Sequence, residues 1–143
     1  WGEKFENAFE ITKLAAADRE KHDKIPVFAS DISENAVRLT EENAKRAGVF
    51  DCIQVKQRDA LEIDYRPGVL MCNPPYGVRM LDKQQAEQLY FKLGQRTGQI
   101  AGLKKYIISS DDMFEEHFGQ KADKRRKLYN GMIKCNLYMY FKG

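Results

Sequence analysis

Residues 69–77 read VLMCNPPYG, and this segment decides the fold. Its first four residues are an apolar run of the kind found in parallel strands that are buried on both faces. Pro74 and Pro75 follow at once, and because each fixes φ and lacks a backbone N–H, they exclude both a helix and an inner strand at this point. The segment therefore predicts a buried strand with a rigid loop at its carboxyl end.

Strands and helices alternate on either side of this segment. Short apolar runs predict further strands at residues 25–30, 52–56 and 105–109, the first of them also buried. Helical spacing and capping residues predict an opening helix that ends near Glu20 and a second helix that begins after the N-cap Ser33 and ends just before Gly48. They also predict a helix over 86–93 and a short helix over 111–118. Asn130-Gly131 predicts the turn of a hairpin between residues 127–129 and 132–141. This order predicts an α/β fold with a mostly parallel sheet and a C-terminal antiparallel hairpin.

The composition is that of a single globular domain. The chain has 143 residues, of which 43% are hydrophobic and 31% charged, and its net charge is +3. No apolar run approaches the ~18 residues of a membrane helix. The three cysteines (Cys52, Cys72 and Cys135) lie far apart and form no C-x-x-C pair. We therefore expect a cytoplasmic protein with reduced thiols, no metal and no membrane partner.

Three clusters whose side chains could bind a ligand or take part in a reaction each follow a predicted strand. They are Asp31, Asp59, and the loop from Asn73 to Tyr76. Ligands of open parallel sheets bind beyond the carboxyl ends of the strands, so we expect all three clusters to line one sheet edge. Asp31 stands where an acid accepts hydrogen bonds from ribose hydroxyls, although it could equally help to begin the helix at Ser33. Asp59 taken alone is more typical of a turn.

The loop Asn73-Pro74-Pro75-Tyr76 suits methyl transfer to an amino group. The lone pair of a nucleobase amine is conjugated with the ring, which makes the nitrogen a poor nucleophile. The side-chain oxygen of Asn73 and the carbonyl of Pro74 can accept both amino hydrogens and free that lone pair, and the prolines keep the acceptors aimed. The ring of Tyr76 offers a face on which an extruded base can stack, worth roughly 1–3 kcal/mol.

The chain resembles a known enzyme family well beyond this loop. MCNPPYG resembles motif IV of amino-methyltransferases. Nearly all of residues 1–143 resemble the methyltransferase domain of the THUMP-domain RNA guanine methyltransferases, which are similar to bacterial large-subunit ribosomal RNA guanine-2-amino methyltransferases. The segments that carry this likeness read FASDISENAVRLTEENAKRAGV, QRDALEI, MCNPPYGVRM and RRKLYNGMIKCNLYMYF. The resemblance implies a Rossmann-like class I methyltransferase sheet, S-adenosylmethionine as cofactor and the guanine 2-amino group of ribosomal RNA as target.

The resemblance also implies roles for individual residues. Asp31 would bind the ribose of S-adenosylmethionine, and Ile32 would pack on its adenine. Asp59 and Ala60 would contact the adenine edge. The target base would be held by the loop residues Asn73, Pro74 and Tyr76, with Asn73 also beside the cofactor.

The chain departs from the family pattern at its start. The family carries an upstream THUMP domain and a first strand with a Gly-rich loop, and that strand lies between the strands that precede Asp31 and Asn73. The chain begins with Trp1 and shows neither feature. We therefore expect residues 1–143 to be the C-terminal part of the methyltransferase domain. Alone, this part would bind cofactor weakly or not at all, unless a strand swapped from a second copy filled the gap.

Basic residues near the C-terminus are candidates for RNA contact. Lys124, Arg125 and Arg126 belong to a basic run that would attract RNA phosphates, or would form a solvated loop before the hairpin. Arg79 could touch a substrate phosphate or form a surface ion pair. RNA is thus the expected partner.

Four other functions remain open from the sequence. An adenine 6-amino methyltransferase or a protein glutamine-amide methyltransferase would use the same Asn-Pro-Pro-Tyr loop. A NAD-binding oxidoreductase would use Asp31 to hold a ribose but has no need of a diproline loop. A non-catalytic fragment would need none of these residues.

Overall fold

The computed structural model describes residues 2–18, 25–76 and 80–142. The chain divides into two compact units, Trp1–Gln57 and Arg58–Gly143. The first unit contains α1 (Gly2–Ala17), β1 (Val27–Asp31), α2 (Glu34–Arg46) and β2 (Ile53–Gln57). The second contains β3 (Gly68–Cys72), α3 (Met80–Gly98), β4 (Leu103–Ser109), α4 (Phe114–Phe118), β5 (Lys124–Asn130) and β6 (Ile133–Tyr140). Within the described ranges, no helix is long and apolar enough to cross a membrane.

The first unit contains a parallel strand pair joined by a helix. β1 and β2 pair in parallel, from Val27 opposite Ile53 to Asp31 opposite Gln57. A parallel pair needs a crossover connection, and α2 supplies it. Ser33 is the N-cap of α2, since its hydroxyl accepts a hydrogen bond from the backbone N–H of Ala36, as the sequence predicts.

The prediction that residues 25–30 form a buried strand is wrong for the first unit. The strand is present, but Ile25 and Val27 are exposed, and 74% of Phe28 is accessible. Within this unit, β1 has a single neighbouring strand and one covering helix. The other edge and the other face of β1 are therefore uncovered within this unit.

The second unit is a four-stranded sheet in the order β3-β4-β6-β5. β3 and β4 are parallel, whereas β6 is antiparallel to both β4 and β5. The hairpin turns at Asn130-Gly131 as predicted, and Gly131 has a φ of 62°, which glycine adopts without steric cost. The core of this unit is largely aromatic and consists of Ala86, Tyr90, Leu93, Ile107, Phe114, Phe118, Tyr138 and Tyr140. The α/β class with parallel pairs and a C-terminal antiparallel hairpin is confirmed.

The prediction that residues 69–72 are buried on both faces is also wrong. Val69 is exposed and 80% of Met71 is accessible, whereas Leu70 and Cys72 are half-buried. The cause is position, because β3 is an edge strand of the second unit and only one of its faces is covered. Another strand between β1 and β3, which the resemblance implies, would pair with an open edge of each, and it stays a prediction.

Several element boundaries differ from those predicted. The basic residues Lys124, Arg125 and Arg126, expected in a loop, lie inside β5. The second strand is shifted by one residue to Ile53–Gln57, and the helix predicted from residue 111 begins at Phe114. The opening helix extends to Ala17, and its predicted end at Glu20 lies outside the described residues.

Candidate active site

The diproline loop leaves the sheet directly after β3. Asn73 is exposed, Pro74 is buried and Tyr76 is half-buried. Cys72, the last residue of β3, is paired in register with Ile107 of β4, which fixes where the loop begins. Burial raises the pKa of the Cys72 thiol to about 11, so this sulfur stays protonated and is not a nucleophile at neutral pH.

Two side chains of the loop bind each other. The hydroxyl of Tyr76 donates a hydrogen bond of 2.7 Å to Oδ1 of Asn73. An amide oxygen has two lone pairs, so Oδ1 can accept a second hydrogen bond from a substrate amine. The structure thus brings together the predicted acceptor and the predicted stacking ring within one loop.

A buried tyrosine from α3 holds the far end of the loop. The hydroxyl of Tyr90 donates to the carbonyl oxygen of Pro75 at 2.6 Å and accepts from Oγ of Ser109 at 3.4 Å. Burial raises the pKa of Tyr90, which keeps the hydroxyl protonated and able to donate. Periodicity marks Tyr90 only as a core residue, so the sequence did not reveal this contact.

A cavity of about 300 Å³ opens beside the loop. This volume lies at the lower end of the range for small-ligand sites, about 300–1,000 Å³. Its polar lining consists of Tyr76, Lys83, Glu87, Tyr90, Ser110, Asp111 and Asp112. The sequence analysis missed the two aspartates, although they follow β4, whose carboxyl end lies at the same sheet edge as that of β3. The rule that selected Asn73 would also have selected them.

Both carboxylate oxygens of Asp111, which lines this cavity, have partners within the protein. Its Oδ1 accepts from the backbone N–H of Met113 at 2.9 Å, and its Oδ2 lies 2.6 Å from Nδ1 of His117. The hydroxyl of Tyr138 donates to its carbonyl oxygen at 2.9 Å. Asp111 therefore fixes the turn after β4.

Asp59 lies in the second unit and begins a short 3-10 turn. Its Oδ1 accepts from the backbone N–H of Leu61 at 2.8 Å, which is the turn-forming role that the residue type favours. The hydroxyl of Tyr65 donates to the carbonyl of Ala60 at 2.9 Å, and burial raises the pKa of Tyr65 to about 12. Asp59 and Ala60 are therefore held in a defined conformation.

Asp31 and Ile32 end β1 in the first unit. Oδ1 of Asp31 accepts from the backbone N–H of Ser33 at 2.8 Å, so the residue does help to begin α2. The carboxylate is exposed, and its four lone-pair sites leave room for hydroxyl donors. Nε2 of Gln57 donates to the carbonyl of Ile32, whose side chain is 69% accessible. An exposed acid beside an exposed apolar side chain fits the ribose and adenine of S-adenosylmethionine.

The clusters that the sequence predicts at one sheet edge belong to two units. Asp31 and Ile32 lie in the first, and Asp59, Ala60 and the loop from Asn73 lie in the second. That all of them line one ligand site stays a prediction.

The candidate RNA-contact residues have different surroundings. Lys124 and Arg126 are exposed on the edge strand β5. Arg125 points to the other face, where its guanidinium lies 3.4 Å from a carboxylate oxygen of Glu115. Arg79 lies outside the described residues.

Comparison with known proteins defines the class. Residues 2–139 match the family described as "RMKL-like, methyltransferase domain". The solved structure "SMU.472, a putative methyltransferase complexed with SAH" superimposes with a TM-score of 0.81 at 32% identity, over 90% of this chain and 35% of that one. The fold is thus that of an S-adenosylmethionine-dependent methyltransferase domain.

The particular family follows from the same matches: the chain belongs to the RMKL-like methyltransferase domains. It is 38% identical over 132 residues to "Putative RNA methyltransferase YpsC" of Bacillus subtilis, covering 90% of this chain and 34% of that protein. It is 34% identical over 139 residues to "Ribosomal RNA large subunit methyltransferase K/L" of Shewanella amazonensis, covering 95% of this chain and 20% of that protein. The chain therefore spans about a third or less of these relatives.

Proposed function

We propose that the protein methylates the 2-amino group of a guanine in ribosomal RNA, with S-adenosylmethionine as methyl donor. The observation that carries this proposal is the loop after β3, in which Asn73 presents an amide oxygen beside the ring of Tyr76, next to a cavity. The relationship to RNA methyltransferases supports an RNA substrate. Guanine as the target base rests on the resemblance of residues 1–143 to the guanine-2-amino enzymes.

Each residue of the loop has a task in this reaction. Asn73 and the carbonyl of Pro74 accept the two amino hydrogens and turn the nitrogen lone pair toward the methyl donor, while Tyr76 stacks on the base. The cofactor supplies an electrophilic methyl group on a sulfonium. Asp31, Ile32, Asp59, Ala60 and Asn73 would hold it. The nitrogen loses its proton after alkylation, when it has become acidic, so the loop needs no strong base.

Basic side chains would hold the RNA. Lys124 and Arg126 on β5 are exposed and would bind phosphates, which contribute affinity without reading sequence. Arg125 would contribute less because its guanidinium lies 3.4 Å from a carboxylate oxygen of Glu115, which attracts the same charge. Arg79, two residues beyond Gly77, is proposed as a further phosphate contact.

Nucleoside analysis tests the target base. The full-length protein is incubated with methyl-labelled S-adenosylmethionine and unmodified ribosomal RNA, and the RNA is digested to nucleosides. We expect the label in N2-methylguanosine. Label in N6-methyladenosine would replace guanine by adenine, and label in protein would indicate a glutamine-amide methyltransferase.

A substitution tests the amine-binding loop. We expect Asn73→Ala to lower turnover by roughly a hundredfold or more, because the residue acts on the nucleophile. The affinity for S-adenosylhomocysteine should fall much less than turnover, because the other four proposed cofactor residues are unchanged. Lys56→Ala, which removes an exposed side chain on β2, is the control and should keep full turnover. Unchanged turnover in Asn73→Ala would disprove the amine-binding role.

A further inference from the structure

The corner formed by Pro74 and Pro75 is held at both ends by buried groups. At its start, Cys72 is paired with Ile107 in the parallel ladder of β3 and β4. At its end, the carbonyl of Pro75 accepts a hydrogen bond from the hydroxyl of Tyr90. Since both prolines have fixed φ angles, few torsions remain free between these two anchors. Those torsions decide where the carbonyl of Pro74 and the side chain of Asn73 point.

Tyr90 is well placed to hold this corner rigidly. It lies in α3, fifteen residues beyond Pro75, and only 1% of its surface is accessible. Its ring packs edge-on against Phe114, with ring centroids 5.0 Å apart. Its hydroxyl also accepts from Ser109, and the backbone N–H of Asp111 donates to that serine at 3.1 Å. The hydroxyl position is therefore determined by α3, by α4 and by the end of β4.

We propose that Tyr90 is a positioning residue for methyl transfer, whose hydroxyl orients the Asn73-Pro74 acceptor pair through the Pro75 carbonyl. This inference rests on the proposed role of that acceptor pair. Tyr90 acts through the loop and contacts no reacting atom. Loss of its hydroxyl would leave RNA and cofactor binding nearly intact but would misplace the acceptors during the reaction.

Tyr140 provides a matched control. It is also a buried tyrosine of the second unit, and its hydroxyl donates to a backbone carbonyl, that of Gln120, at 3.1 Å. Gln120 follows α4 and is not part of the diproline loop. Tyr90→Phe and Tyr140→Phe each remove one buried hydroxyl group and one bond to a carbonyl. Tyr90→Phe also removes the longer bond from Ser109, so chemical denaturation of both variants measures how closely their effects on stability match.

The experiment compares kcat and KM of the two variants in the full-length protein, with ribosomal RNA as substrate. We expect Tyr90→Phe to lower kcat roughly ten- to a hundredfold, the usual effect of a small misplacement, with KM for RNA changed less than about threefold. Tyr140→Phe should keep kcat within about twofold. Equal kcat values in the two variants would overturn the proposal.

One further variant and a second assay temperature keep the test decisive. If Asn73→Ala retains turnover, the proposed function fails, whereas a strong loss in Asn73→Ala with normal kcat in Tyr90→Phe overturns only the role of Tyr90. Should Tyr90→Phe lack a cooperative unfolding transition at the assay temperature, the two tyrosine variants are compared at a lower temperature at which both fold. Equal kcat values at that temperature would overturn the proposal, and a lower kcat in Tyr90→Phe at unchanged KM would support it.

Discussion

At the residue scale, tyrosine hydroxyls hold the backbone of the loops that carry the candidate site. Tyr65 donates to Ala60, Tyr90 donates to Pro75 and Tyr138 donates to Asp111. These carbonyls belong to the loops that follow β2, β3 and β4. These bonds are partly buried, and a fully buried carbonyl without a partner would cost about 1–3 kcal/mol, which is the upper bound here. Each hydroxyl thus satisfies a carbonyl and fixes the conformation of its loop.

The ring and the hydroxyl of Tyr76 are expected to contribute separately to kcat/KM for RNA. We expect Tyr76→Ala to weaken kcat/KM for RNA by roughly five- to a hundredfold, because stacking on a base contributes about 1–3 kcal/mol. Tyr76→Phe keeps the ring and loses the bond to Oδ1 of Asn73, so a loss of about threefold or less is expected. Steady-state kinetics of both variants measure the difference. An equal loss in the two variants would show that the hydroxyl, not the ring, is required.

The sequence predicts individual site residues only where local chemistry is distinctive. Asn73, Pro74 and Tyr76 belong to an unusual tetrapeptide, so they can be selected as candidates without coordinates. Tyr90 and Asp111 act through partners far along the chain, fifteen residues away for Tyr90 and 27 residues away for the bond between Tyr138 and Asp111. The pattern of the sequence predicts that such residues are buried or follow a strand, but it does not predict which atom they bind.

At the scale of elements, β5 shows why a basic segment misleads sequence analysis. Strands are recognised by alternation of apolar and polar residues, and Lys124–Lys127 has none. β5 is an edge strand, and charged residues suit such edges because they oppose pairing with other chains. Its pairing with β6, from Lys124 opposite Met139 to Asn130 opposite Ile133, comes from the hairpin and not from its own composition.

The exposed cations of β5 should contribute to RNA affinity. We expect the double variant Lys124→Ala, Arg126→Ala to bind RNA more weakly and to reduce the slope of log K against log salt by roughly 1.4, about 0.7 per lost contact with a single strand. Arg38→Ala, Lys56→Ala removes two exposed charges from the first unit and is the charge-matched control. Binding titrations of the full-length protein at several salt concentrations measure both slopes. Equal slopes in the two double variants would exclude β5 as an RNA contact.

The packing of α3 against α4 depends on one glycine. A Cβ added at Gly94 would collide with the carbonyl oxygen of Phe118, the last residue of α4. We expect Gly94→Ala to destabilise the protein by about 1–3 kcal/mol through this overpacking. Gly98→Ala is the control in the same helix, because a Cβ there meets nothing within 4 Å, and it should be neutral or slightly stabilising. Chemical denaturation compares the two, and equal stability would contradict the close approach.

At the scale of the whole molecule, the order of elements is predictable and their burial is not. Apolar runs and turn residues identify β1 to β4 and the hairpin. The same runs predict burial on both faces, yet Phe28 and Met71 are exposed because one face of β1 and one face of β3 are uncovered. The hydrophobicity of a run indicates which faces of a strand would be stabilised by packing against another element. Whether a partner covers them depends on the rest of the fold, which no single run of residues encodes.

Stability should fall at alkaline pH because buried acids of the second unit keep their protons. Burial raises the pKa of Cys72 from its ordinary value of 9.0 to about 11, and that of Tyr65 from 10.0 to about 12. Below pH 9 these groups are neutral in both the folded and the unfolded chain and cause no pH dependence. Above it the unfolded chain loses its protons first, so the free energy of unfolding falls until the folded chain also ionises.

The contribution of Cys72 to this fall can be isolated. One pKa unit corresponds to about 1.4 kcal/mol, so Cys72 should account for about 2 kcal/mol of the loss between pH 7.5 and pH 10.5. We expect Cys72→Ala to lose that much less stability over this interval than the wild type, as measured by chemical denaturation at both pH values. Cys52→Ala, which also removes a half-buried thiol, is the control. If both variants lose as much stability as the wild type, the thiol of Cys72 is not the group that holds its proton.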